Sequence, residues 1–196
     1  MTREDAFTGL EAAIVLIAFV VVAAVFSYVV LGAGFFTTQK SQETVYAGVK
    51  SASSSFEIIG NVYGINNLTT DYKPYLNYTK FTIGLTAGQN PLDVTKMAIS
   101  YSDERTRWTG ADYGQPVIYI TGDQAGSAPK WGINATINDD GDNLLEPNEQ
   151  FIIFIGVPTT AVPNERFTIT LLPADGAAYP IIRKVPAGID NVNILI

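Results

Sequence analysis

The pattern of apolar and polar positions divides the chain into two parts with different periodicity. Residues 12–36 are apolar on every side of a helix, and only Ser27, Tyr28, Gly32 and Gly34 interrupt the run. At about 1.5 Å rise per residue, a helix of this length spans the ~30 Å hydrocarbon core of a bilayer. Because no face is polar, the helix must be buried all round, in lipid or inside an assembly.

From residue 56 onward, short stretches of alternating or β-branched apolar residues are separated by turn residues. In 80–85 and 166–171 the apolar side chains fall on one face only, which is typical of half-buried strands. We predict strands at 56–63, 80–86, 92–101, 117–121, 151–157, 166–172, 179–185 and 192–196. Seven or eight short strands with no helical stretch between them favour an antiparallel, immunoglobulin-like β-sandwich.

The predicted fold class is therefore α+β, a long N-terminal hydrophobic α-helix followed by that sandwich. We divide the chain into a leader at 1–6, the helix at 7–55 and a β domain at 56–196. About 140 residues are enough for one good hydrophobic core, so a second globular domain is not expected.

Composition excludes several classes of function. The chain has no Cys and no His, which removes disulfides, thiolate chemistry and the commonest general base. Its net charge of −7 argues against a nucleic-acid partner and suits a solvated exterior surface. No nucleophile stands beside a base and no Gly-rich phosphate loop occurs. The sequence therefore predicts that the protein is not an enzyme.

Glu11 stands at the start of the apolar run, where a carboxylate is costly if the helix is fully inserted in lipid. A permanent single-span anchor gains little from such a residue. A helix that docks beside copies of itself can use it, because a freshly cut chain end carries a positive amine. If cleavage falls between Ala6 and Phe7, Glu11 lies one helical turn from the new amine and can also reach that of a neighbour.

The N-terminal segment resembles a known family. Residues 7–40 are FTGLEAAIVLIAFVVVAAVFSYVVLGAGFFTTQK. This segment is similar to the start of an archaellin, an archaeal flagellin whose N-terminal helix is like that of type IV pilins. The match is specific over this segment, and the rest of the chain fits by its β-rich character.

The resemblance implies a structural subunit of the archaeal flagellum, the archaellum, which polymerises through N-terminal helices into an extracellular filament for swimming. It implies a precursor in the cell membrane, cut between Ala6 and Phe7 by a prepilin-type signal peptidase. Self-assembly, with Glu11 as the assembly residue, would follow at a membrane assembly and motor complex. Two alternatives stay open: a type IV pilus-like adhesion filament subunit, and a single-span membrane-anchored binding domain.

One acidic segment, 138–149, matches the spacing of a twelve-residue calcium loop. Its oxygen ligands would come from Asn138, Asp140, Asp142, the Leu144 carbonyl, Glu146 and Glu149. Hard oxygen ligands at this density favour a structural Ca²⁺ over Mg²⁺. The alternative is an acidic surface loop between two strands with no bound ion.

Three sequons, at Asn67, Asn77 and Asn134, match the acceptor pattern for N-linked glycans. Each lies in or beside a predicted loop. In a domain expected outside the cell, we predict N-glycosylation of at least one of them. The glycans would cover filament surface and take no part in chemistry.

Overall fold

The computed structural model describes residues 3–53, 55–68, 74–86, 90–122, 128–174 and 176–196, with side chains of the first helix described over 9–49. Two compact units emerge, Met1–Gly48 and Val49–Ile196. The first is helical and the second is a β domain.

Helix α1 spans Arg3–Ser53, close to the predicted bounds of 7–55. It continues through the polar residues past the apolar run, where the Thr37 and Thr38 hydroxyls donate to the carbonyls of Ala33 and Gly34 at 2.8 and 2.9 Å. By length and composition, one helix among the described residues, Gly9–Val49, could cross a membrane.

The β domain contains twelve strands among the described residues. They are β1 Phe56–Ile65, β2 Tyr78–Leu85, β3 Leu92–Asp93, β4 Ala98–Ser102, β5 Arg107–Trp108, β6 Val117–Ile118, β7 Trp131–Ile137, β8 Leu144–Leu145, β9 Gln150–Gly156, β10 Arg166–Leu172, β11 Tyr179–Lys184 and β12 Val192–Leu195. A short helix, α2 Gly110–Tyr113, follows β5.

Two sheets build the sandwich. The larger has the order β12-β1-β2-β9-β7-β6, and the smaller has the order β11-β10-β4-β5. Strands β3 and β8 form a separate pair. All pairs are antiparallel except β6 with β7, so the predicted antiparallel sandwich is confirmed with one parallel exception.

The core lies between the inward faces of the two sheets. Fully buried aromatic side chains come from both sheets: Phe81, Tyr101, Trp131, Phe151 and Phe167. The rings of Tyr101 and Phe167, on neighbouring strands of the smaller sheet, stack at 5.6 Å. The alternation of buried and exposed positions along β10 follows the sequence pattern, which shows that the period-two signal placed this strand correctly.

Two predicted strands differ in the structure, and three observed strands, β5, β7 and β8, were not predicted. The strand predicted at 92–101 is two strands separated by a 3-10 turn at Val94–Lys96, because the Asp93 carboxylate accepts from the Thr95 N–H at 3.0 Å. The strand predicted at 117–121 ends at Ile118, since Tyr119 has φ +60 and the chain then buries Ile120. Strand β7 was not predicted at all, although it lies inside the larger sheet between β9 and β6.

The parallel pairing of β6 with β7 depends on a glycine. A Cβ at Gly132 would overlap the backbone of Val117, its carbonyl oxygen above all, so only glycine permits this approach of the two backbones. Strand β6 is therefore held at the edge of the larger sheet by a feature that periodicity does not reveal.

An aspartate joins the two sheets at one end of the sandwich. The Asp103 carboxylate, just after β4, accepts from the Tyr101 hydroxyl at 2.9 Å and from the Thr160 hydroxyl at 2.6 Å. It also accepts from the backbone N–H groups of Arg105 and Thr106 at 2.7 and 2.5 Å. Four donors converge on one carboxylate, and Thr160 lies beyond the end of β9, so the contact links the two sheets.

Candidate assembly helix, acidic loop and glycosylation sites

The N-terminal part of α1 contains the predicted processing and assembly residues. Helix α1 begins at Arg3, so the Ala6–Phe7 peptide bond lies within helical backbone, and the two side chains lie outside the described residues. Glu11 is exposed on the same helix. No basic residue occurs between Arg3 and Lys40, so the side chains described near Glu11 on its own helix include no cation.

The apolar surface of α1 has no cover within its own unit. Large apolar side chains are exposed from Leu10 to Val49, and Phe19 and Phe26 are 70% and 69% exposed. Patches of this extent on a soluble monomer are not stable in water and mark an interaction surface. We therefore expect lipid or other helices to cover the surface of helix α1.

The acidic loop, residues 138–149, connects β7 to β9. Left-handed backbone at Asn138, Gly141 and Asn148 bends it tightly, which asparagine and glycine tolerate. The Asp142 carboxylate accepts from the Leu144 N–H at 2.6 Å, and the Glu149 carboxylate accepts from the Glu146 N–H at 2.9 Å. These bonds give the loop a defined shape.

Three carboxylates of this loop, from Asp139, Asp140 and Asp142, lie within 4.8 Å of one another. Two of them were predicted as ligands, and Asp139 was not, because the calcium-loop pattern gives its position no ligating role. One oxygen of Asp139, Oδ1, is buried without a hydrogen-bond partner. Together the three side chains can offer oxygen ligands to one cation.

The remaining predicted ligands lie outside this cluster. Asn138 donates its amide to the Asn148 carbonyl at 3.2 Å, and the Glu149 carboxylate is buried against the Glu146 N–H. Burial first, and then the neighbouring carboxylates of Glu149, Asp140 and Asp142, raise the pKa of the Glu146 carboxyl. The loop is thus electrostatically crowded, which favours a positively charged partner.

The three sequon asparagines have different surroundings. Asn67 is exposed, whereas Asn77 is buried and its Oδ1 accepts from the Asn67 N–H at 3.2 Å. Asn134 is half-buried, and its Nδ2 donates to the Ile120 carbonyl at 2.9 Å. Thr69, the third residue of the first sequon, lies outside the described residues. Asn67 therefore has the most accessible side chain of the three.

The fold defines a class of protein in which a single β-sandwich follows a long apolar helix that lipid or other helices must cover. A family model for archaeal-type flagellins matches residues 6–183, and the chain belongs to this family. A probable flagellin 1 of Archaeoglobus fulgidus is 39% identical over 204 residues, covering 100% of this chain and 97% of that protein.

Solved structures agree with this assignment. The archaeal flagellum of Methanospirillum hungatei strain JF1 matches with a TM-score of 0.69 and 30% identity, covering 96% of this chain and 99% of that one. The flagellin FlaB1 of Methanocaldococcus jannaschii matches 71% of this chain and 95% of its own, with a TM-score of 0.55 and 16% identity, and so supports the fold alone.

The protein is a structural subunit of the archaellum, a homopolymeric motility filament on the cell exterior, as the resemblance in its first 40 residues implied. The family is one of filament proteins and not of enzymes.

Proposed function

We propose that the chain reaches the filament as a membrane-held precursor. A prepilin-type signal peptidase would cut it between Ala6 and Phe7, and a membrane assembly and motor complex would add it to the growing archaellum. The observation that supports this proposal is the uncovered apolar surface of α1 from Leu10 to Val49. Lipid covers that surface before assembly, and other copies of the helix cover it afterwards.

Hydrophobic burial of helix α1 gives a large free energy both in lipid and in the filament, so the difference between these two states is small. At roughly 25 cal/mol per Å², burying the helix yields on the order of tens of kcal/mol. Lipid already provides most of this, since acyl chains are as apolar as the side chains. Close helix packing, and the contact of Glu11 with the new α-amine of a neighbouring copy, would then favour the filament.

The test is intact mass and amino-terminal sequencing of filaments sheared from the cell surface. We expect a chain that starts at Phe7, and an added mass equal to its glycans. A membrane-anchored monomer would instead stay in the membrane fraction and begin at Met1, and that result would remove the proposal. We propose Asn67 as the glycan site, because its side chain is exposed whereas Asn77 is buried and Asn134 is half-buried.

We propose that the acidic loop binds Ca²⁺ as a structural ion, through Asp139, Asp140 and Asp142 with further oxygens from its neighbours. Supporting this are the close approach of the three carboxylates and the raised pKa of Glu146. At neutral pH a carboxyl group with a raised pKa is charged at a cost to stability. A divalent cation relieves that cost.

Calcium is expected to raise the thermal unfolding midpoint of the full chain in detergent, followed by tryptophan fluorescence. A free concentration about 100 times Kd adds about 2.7 kcal/mol of stability, and EDTA should remove the gain. The variant with Asp140→Asn and Asp142→Asn should lose the response. Glu104→Gln, at an exposed carboxylate in the β4–β5 turn, should keep it. If calcium left the thermal unfolding midpoint of the parent chain unchanged, the calcium proposal would be wrong, and residues 138–149 would be an acidic surface loop without a bound ion.

A further inference from the structure

Three cations share the outward face of the smaller sheet. Phe167, Ile169 and Leu171 of β10 point into the core, so Arg166 and Thr168 point outward. Lys184 pairs with Arg166 across the β10–β11 ladder and therefore shares this face. These assignments follow from the strict alternation of side chains along a strand.

Arg107 belongs to the same face. Arg107 pairs with Ser102, and Ser102 pairs with the outward-facing Thr168. The next residue, Trp108, faces the core, because its ring centroid lies 6.1 Å from that of the buried Tyr101. We call Arg107, Arg166 and Lys184 the cationic face. All three are exposed, and none forms an ion pair in the part of the chain that the structure describes. No strand residue on this face is a carboxylate.

The cationic face and the acidic loop lie at opposite ends of the sandwich. Strand β9 begins at Gln150, next to the acidic loop, and ends at Gly156, about 20 Å away at the usual rise. Thr160, shortly after that far end, donates to Asp103, which directly follows β4. Ser102, the last residue of β4, pairs with Thr168, and Arg166 lies two residues further towards the Asp103 end of the sandwich. The cationic face is therefore at the end remote from the acidic loop.

Opposite charges at opposite ends of one domain fit a repeating contact between copies. We propose that the cationic face binds the acidic loop of a second copy in the filament. Such a contact is heterologous, because two different surfaces meet, and it propagates without closing, as a helical polymer requires. The proposal relies on the chain forming a filament of copies and adds the outer-domain surfaces through which neighbours meet.

The charges on the two surfaces also agree in number. The acidic loop holds five carboxylates, from Asp139, Asp140, Asp142, Glu146 and Glu149. A bound divalent cation would leave three negative charges, and the cationic face supplies three positive ones. Calcium and a neighbouring copy are thus compatible partners for this loop.

A charge-swap experiment tests the contact. One variant carries Arg166→Glu with Lys184→Glu, which changes the charge of the cationic face from +3 to −1. A second carries Asp139→Lys, Asp140→Lys and Glu146→Lys, which changes the charge of the acidic loop from −5 to +1, and a third carries all five changes. The substitutions in the acidic loop leave Asp142 and Glu149 unchanged, because their carboxylates accept hydrogen bonds from the loop backbone. The measured quantity is the amount of filament sheared from cells at low ionic strength. The control is Lys130→Glu, at an exposed residue just before β7 of the larger sheet.

Each variant changed on one surface should lose about tenfold or more of its filament, because like charges then face each other across the contact. The variant with all five changes should recover most of it, since opposite charges meet again, and raised salt should weaken parent filaments through screening. A five-change variant no better than the one-surface variants, or one-surface variants that assemble like the parent, would overturn the proposal. Loss of a calcium ion or of folding cannot produce the recovery.

Amino-terminal sequencing of the same samples separates this proposal from the one on processing. Variants that start at Phe7 but do not assemble concern the outer contact alone. An uncut parent chain would contradict the processing step. The charge contact would then be tested only by whether the variant changed on both surfaces recovers its filament yield.

Discussion

Replacing Glu11 with Gln is expected to abolish filaments on the cell surface while leaving the chain in the membrane. In the proposed assembly the carboxylate meets the α-amine of a neighbouring copy within an apolar environment. Gln keeps the shape but removes the charge, so the amine stays buried without a partner. Removing one partner of a buried ion pair costs about 3–5 kcal/mol, which is more than a hundredfold in each subunit contact.

Glu43→Gln is the matched control on the same helix. Glu43 pairs with Lys40 at 2.6 Å, but both side chains are more than half exposed. An exposed pair of this kind contributes about 0.2–1 kcal/mol, so filament yield should be unchanged. The measurement is filament number per cell by electron microscopy, together with amino-terminal sequencing. Normal filaments in the Glu11 variant would show that the carboxylate is not needed for docking.

The helix was predictable because its signal is local and strong. An apolar run longer than a bilayer is thick, with Glu11 at its start, can be recognised without any tertiary contact. The structure extends the helix from Arg3 to Ser53, within a few residues of the expected bounds. Phe56 then begins β1 and is buried in the sandwich core.

Strand β7 was missed although its apolar positions alternate. Trp131, Ile133 and Ala135 fall on alternate positions, but Gly132 and Asn134 between them are residue types that are depleted in strands. Its parallel partner β6 is held by the backbone approach at Gly132, which is a long-range contact. Pairings of this kind depend on residues far apart in sequence and leave little trace in local periodicity.

The sequence marks the acidic loop by its residue types, but it does not show the geometry of the loop. The calcium-loop pattern comes from a loop flanked by helices, whereas this loop connects two strands and contains β8. Its turns therefore gather Asp139 with Asp140 and Asp142, and turn Glu149 towards the backbone of Glu146. The separation of charge between the two ends of the sandwich depends on strand order, which the sequence does not show.

Asp103 could not be singled out from sequence, because the hydroxyl of Thr160 reaches it from 57 residues away. Asp103→Ala is expected to lower the free energy of unfolding of the β domain by about 2–4 kcal/mol, since it removes the acceptor of four hydrogen bonds at a partly buried position. Both tryptophans of the chain lie in this domain, so their fluorescence during denaturant unfolding of the detergent-solubilised chain measures the loss.

The same carboxylate predicts a dependence on pH. Burial of Asp103 opposes its ionisation, but the hydrogen bonds from Thr160, from the backbone of Arg105 and Thr106, and from Tyr101 outweigh burial and lower its pKa. A lowered pKa in the folded state means that the stabilisation is present above the ordinary value of 3.8 and is lost as pH falls through the folded-state pKa. The parent chain should therefore lose stability below about pH 4.

In Asp103→Asn this part of the acid dependence should disappear, because no proton binds there, and stability should be lower at neutral pH. Asp112→Asn is the matched control, since Asp112 also accepts from a backbone N–H, that of Thr109 at 2.6 Å, but is exposed. Its effect should be much smaller, because water replaces the lost acceptor. If both variants followed the parent curve at every pH, the Asp103 carboxylate would not stabilise this end of the sandwich, and packing of the buried core would have to do so instead.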